Sequence, residues 1–163
     1  MPGALDGFRV IDFSQVIAGP LATRVLADQG ADVIKVEPPS GDILRHMGGV
    51  AGLSPTFATV NRSKRSLVLD LKKSGGVEAL MRLVASADVF VQNSRPGTME
   101  RIGIGAKQLR DHNPRAFLTN LIWNTRGETQ CFQFGPRDVQ EVAEFIATDP
   151  EAKVFVISGA FAV

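Results

Sequence analysis

Apolar residues come along this chain in short runs, broken at intervals by Gly, Pro, Ser and charge. Residues 8–13 (FRVIDF) form an apolar run of strand length, and Ser14, Gly19 and Pro20 punctuate its end. Leu21, Ala22, Val25 and Leu26 then recur at helical spacing as far as Gly30. A second apolar run covers 31–36 (ADVIKV). Two strands of buried character around one helix predict a βαβ unit, the building block of a parallel sheet.

The alternation continues. Residues 38–56 are rich in Gly, Pro and Ser and predict a long loop with a short helix near 43–47. A loop of that length inside a domain is usually functional or mobile. Residues 61–65 (NRSKR) have the composition of a solvated surface turn, set directly before a strand at 66–71 (SLVLDL). Val77, Leu80, Met81 and Val84 lie at i, i+3, i+4 and i+7, one apolar helix face. A strand at 89–92 completes a second βαβ unit. Residues 93–97 (NSRPG) form a strand-to-helix turn, and 98–104 and 106–112 predict two short helices. A fifth strand is predicted at 116–123, a helix at 137–148 and a sixth strand at 153–157. The order predicts an α/β domain, doubly wound, with a mostly parallel sheet of about six strands.

Composition narrows this little. The chain has 163 residues, 44% hydrophobic and 21% charged, enough for one domain with a core. Lys+Arg number 18 and Asp+Glu 17, so no whole-surface attraction to nucleic acid is expected and anion binding must be local. Cys131 is the single cysteine and cannot form an internal disulfide, which fits a reducing compartment. No apolar run approaches membrane-spanning length, and the N-terminus lacks the pattern of a signal peptide. These features lead to the expectation of a cytoplasmic protein with no membrane partner.

The candidate chemistry gathers at strand ends. No metal-ligand spacing is present, nor a phosphate loop, nor a dinucleotide glycine fingerprint; Gly19 alone is not one. In an open parallel sheet, ligands bind beyond the carboxyl ends of the strands. Ser14, Gln15 and Val16 follow the first strand, Glu37 and Pro38 the second, Lys72 the third, and Asn93, Ser94 and Arg95 the fourth. Arg95 and Lys72, with Arg101 a turn further on, would bring positive charge to that edge. Helix N-termini together with Arg and Lys can hold phosphate without a glycine-rich loop. The plainer reading of the same residues is ordinary loop polarity.

These residues also lie in stretches that resemble family III coenzyme A transferases, the CaiB/BaiF group, which includes formyl-CoA transferases and α-methylacyl-CoA racemase. The stretches are LDGFRVIDFSQVIAGP (5–20), LADQGADVIKVEPP (26–39), NRSKRSLVLDLK (61–72), ADVFVQNSRPG (87–97), MERIGI (99–104) and LRDHNPR (109–115). They run in order over about the first 115 residues. The resemblance implies a Rossmann-like domain that binds coenzyme A or acyl-CoA as substrate, and a homodimer; the lack of metal-ligand spacing leads to the expectation of no metal. It implies that Gln15 and Val16 lie beside the thioester end, that Leu69 borders the adenosine, and that Lys72 reaches phosphate. It places Asn93, Ser94 and Arg95 in the same pocket and Arg101 near the phosphates or adenine. Ser94 stands where the family motif usually has an aromatic residue.

The resemblance fades at 116–123. In the transferases a downstream aspartate is the nucleophile, and in the racemases a His and an Asp exchange the α-proton. No such motif is found in 124–163; Asp138 and Asp149 look like helix-end residues. The chain therefore divides into a family-like region, 1–115, and a divergent tail, 116–163, whose α–β unit would complete the same domain. Three functions follow. One is a truncated CoA-binding domain lacking the catalytic Asp. Another is an active transferase or racemase that uses a displaced or partner-chain carboxylate. The third is a structural module with a vestigial site.

Overall fold

The structure, a computed structural model, describes residues 3–49, 54–95 and 97–120. Five strands alternate with helices. They are β1 (Arg9–Phe13), α1 (Ala18–Asp28), β2 (Asp32–Glu37), α2 (Pro55–Asn61), β3 (Arg65–Val68), α3 (Ser74–Val84), β4 (Val89–Gln92), α4 (Thr98–Arg101), α5 (Ala106–His112) and β5 (Phe117–Asn120). A 3-10 turn, Ile43–His46, lies in the loop between β2 and α2. The sheet order is β3-β2-β1-β4-β5. Every neighbouring pair is parallel.

That order makes β1 central. Val10 pairs with Val33 on one side and Val89 on the other. The chain first builds outward through β2 to β3, then crosses back to start again at β4. The reversal between β1 and β4 is the topological switch point, where doubly wound sheets bind ligands. The expected α/β fold with a parallel sheet is therefore present. The described residues carry five strands. The sixth candidate, at 153–157, and the helix at 137–148 lie outside the described residues. All described residues belong to one of the two compact units into which the chain divides, Met1–Cys131; the other is Phe132–Val163.

Alternation along the strands sends side chains to two cores. Ile11 joins Ile34, Val36, Phe90, Leu80 and Val84 on the face covered by α3 and α5. Val10 joins Leu5, Val33, Val91 and Ala27 on the face covered by α1. Burying each such aliphatic side chain contributes about 1.5–3 kcal/mol. On the α1 face the apolar pattern stops toward the strand ends. Asp12, Lys35 and Glu37 continue the rows begun by Val10 and Val33, and all are buried.

Local differences from the sequence pattern have simple causes. The third strand begins at Arg65 and ends at Val68 rather than spanning 66–71. Beyond it the Asp70 carboxylate accepts the Lys72 N–H and the Asp70 carbonyl accepts the Lys73 N–H, which turns the chain into α3. Helix α2 falls where the pattern predicts no element. Ser54 caps it by accepting the Phe57 N–H at 3.2 Å, and Pro55 occupies its first turn. Helix α4 stops at Arg101, and Gly103 takes the left-handed conformation, φ 77°.

Candidate functional site

The ends of β1 and β4 lie side by side, with Phe13 paired to Gln92. The two following loops therefore emerge together. Asn93 joins them: the Gln15 N–H donates to Asn93 Oδ1 at 2.9 Å, and Asn93 Nδ2 donates to the Gln15 carbonyl at 2.7 Å. The Ser94 N–H donates to Gln92 Oε1 at 2.6 Å, which tightens the second loop. Arg95 is exposed beside them. Five sequence-predicted residues, Gln15, Val16, Asn93, Ser94 and Arg95, thus stand at the switch point. Gly19 explains itself here. A Cβ at that position would fall on the Ser14 side chain, so only glycine lets α1 start this close to the end of β1.

Val16 has φ 67°, a left-handed backbone that is an outlier for a β-branched residue. Its N–H donates to both oxygens of Asp42, at 3.3 Å each. Val16 and Ile17 are 42% and 47% exposed, so apolar surface is presented at the mouth of the switch point. Helix α1 begins immediately afterwards with no acidic residue in its first turn and no side-chain cap.

Beneath these loops lies a set of buried charges. The Asp12 carboxylate accepts from the Ser14 N–H, the Ser14 hydroxyl, Thr23 Oγ1 at 2.8 Å and Lys64 Nζ at 2.8 Å. Lys64 also donates to the Pro20 carbonyl at 2.7 Å and to Asn61 Oδ1 at 2.9 Å. Burial pulls the Lys64 ammonium down from its ordinary value, and the Asp12 charge works against that shift. Lys35 Nζ pairs with Asp42 Oδ2 at 3.0 Å and donates to the Ser14 carbonyl at 2.9 Å. Glu37 takes a two-pronged bond from Arg45, at 2.7 Å on each oxygen, and Arg45 stacks 3.8 Å over the Phe57 ring. Burial would push the Glu37 carboxyl up. The bonds from Arg45, the Asp42 N–H and Ser66 outweigh it and hold the group down at about 2.

These carboxylates are saturated with donors and shielded from solvent. They fix loops; none is free to act as a nucleophile. Lys64, from the cationic run 61–65, is thus an internal strut, its side chain 2% exposed, rather than part of a solvated turn. The sequence held a signal for this network: single charged residues, Asp12 and Lys35, inside apolar strands.

The other candidates stand further away in the topology. Leu69 and Lys72 follow β3, the sheet edge two strands from β1. Lys72 is exposed and its peptide N–H is bound locally by Asp70. Arg101 closes α4 and donates to Thr98 Oγ1 at 3.2 Å. Among the described residues no three His, Cys, Asp or Glu side chains converge as metal ligands. Nor is any described helix long and apolar enough to cross a membrane.

Comparison with known proteins identifies the family. The family model for CoA-transferase family III matches residues 5–121, and that of a family of unknown function (DUF5927) matches 86–163. Succinyl-CoA:mesaconate CoA-transferase of Haloarcula hispanica is 49% identical over 125 residues, covering 73% of this chain and 32% of the relative. A probable fatty acyl-CoA transferase of Mycobacterium tuberculosis is 46% identical over 121 residues, covering 72% and 31%. The chain thus spans about a third of the length of the curated relatives it matches. Among solved structures, a CaiB/BaiF family protein of Brucella suis superposes with a TM-score of 0.70 at 36% identity, covering 74% of this chain and 33% of that one.

Proposed function

The chain belongs to CoA-transferase family III, and from that premise we propose that its parallel sheet is a binding site for coenzyme A or an acyl-CoA. The thioester end lies over Gln15 and Val16 at the switch point. Asn93, Ser94 and Arg95 form the opposite wall. The phosphates and adenosine extend toward Lys72, Leu69 and Arg101. The observation that carries this reading is the reciprocal bond between Asn93 and Gln15, which locks the two ligand-facing loops into one surface. Arg95, exposed beside that lock, supplies the charge a phosphate needs.

Acyl transfer itself needs a free carboxylate. Among the described residues, the buried carboxylates at this site are all engaged. We therefore read the described region as a CoA-binding domain without the family's catalytic Asp; an active transferase or racemase would need a displaced carboxylate or one from a partner copy in a homodimer. The setting is the cytoplasm, consistent with a single thiol, Cys131. Titrating the isotope-labelled chain with CoA and following backbone amide shifts tests the site. Shifts clustered at 14–18 and 93–95 support it. Shifts confined to other surfaces, or none at millimolar ligand, refute it.

A further inference from the structure

The left-handed backbone of Val16 persists only if its surroundings over-determine it. Asp42 is what does so. It reaches in from the loop after β2, fully buried, and takes the Val16 N–H on its carboxylate. That carboxylate is itself fixed by Lys35 Nζ at 3.0 Å and by the Leu44 N–H at 3.0 Å. Lys35 in turn holds the Ser14 carbonyl at 2.9 Å. One buried ion pair therefore grips the 14–16 turn at two points, through an acceptor at Ser14 and a donor at Val16.

We propose that Asp42, seated by Lys35, is a positioning residue for the thioester end of the ligand site. It holds Val16 left-handed and so aims Gln15 and Val16 across the switch point. This rests on the CoA-binding reading above. A carboxylate is needed because it offers several lone pairs to three donors at once; an amide would bring two N–H groups of its own into the same space. The alternative role, a cap for the 3-10 turn that merely stabilises the fold, makes a different forecast.

The test uses the full chain and Asp42→Asn. Amide hydrogen exchange at Val16 should accelerate at least about tenfold while Ile11, in the central strand, keeps its protection. Should Asp42→Asn fail to fold with Lys35 left unpaired, Asp42→Asn combined with Lys35→Met removes the buried cation and permits the same readout. CoA affinity, measured in parallel, should fall about tenfold with Asp42→Asn in the native background. In a Val16→Gly background it should fall less than about twofold, because glycine takes the left-handed conformation unaided. Unchanged Val16 protection, protection lost equally at Ile11, or an equal affinity loss in both backgrounds would overturn the proposal. If the native chain binds no CoA, the binding reading falls, while the exchange experiment still decides the role of Asp42.

Discussion

Asn93 and Gln15 hold each other by two hydrogen bonds across the boundary between β4 and β1, the side-chain amide of one reading the peptide group of the other. Only a side chain with both a donor and an acceptor can do this. Asn93→Asp loses the donor and sets a carboxylate against the Gln15 carbonyl. CoA affinity is expected to drop about tenfold, while stability changes by only about 1 kcal/mol because the bonds are at the surface. Calorimetry and urea unfolding on the same variant separate the two effects. A large stability loss with unaltered affinity would assign Asn93 to the fold instead.

The strut beneath the loops makes a different forecast. Lys64→Met leaves the Asp12 carboxylate buried without its cation and frees the Pro20 carbonyl. Breaking one partner of a buried pair typically costs about 3–5 kcal/mol. Urea denaturation should show a loss of that size. Combining it with Asp12→Asn should cost less than the sum of the two single changes. Strict additivity would mean that the pair is not coupled.

Acid should weaken the fold through Glu37. Its folded carboxyl is depressed from 4.5 to about 2, so the stabilisation is complete above the unfolded value and is lost as pH falls between the two. The full effect is about 3 kcal/mol at most. Unfolding free energy measured from about pH 5 down to about pH 2 should fall in the native chain and fall less in Glu37→Gln. Equal slopes would show that Arg45 does not hold Glu37 ionised.

Much of this fold was legible in the apolar pattern, because strands buried on both faces read as continuous runs. Residues 8–13, 31–36 and 89–92 announced β1, β2 and β4 within a residue at each end. The edge strand β3 is shorter than the apolar run 66–71 predicts, since its exposed positions carry little pattern; Val68 is 57% exposed. Helix α2 leaves little trace in the pattern because a short helix offers few apolar positions, although Ser54 and Pro55 mark its start. Strand-end polarity picks out Gln15, Val16, Asn93, Ser94 and Arg95, which the folded chain places in the loops that follow β1 and β4. It could not find Asp42 or Lys64 as supports. Their partners, Val16 and Asp12, lie 26 and 52 positions away in sequence, and only the folded sheet brings each pair together.

Calorimetric titration of the full chain with CoA at low and raised salt, repeated for Arg95→Ala, bears on the whole assignment at once. Saturable binding that weakens with salt, and weakens about tenfold in Arg95→Ala with the fold intact, is the expected result. No heat from the folded native chain at millimolar CoA, or binding indifferent to Arg95, would contradict a CoA site at the junction of β1 and β4.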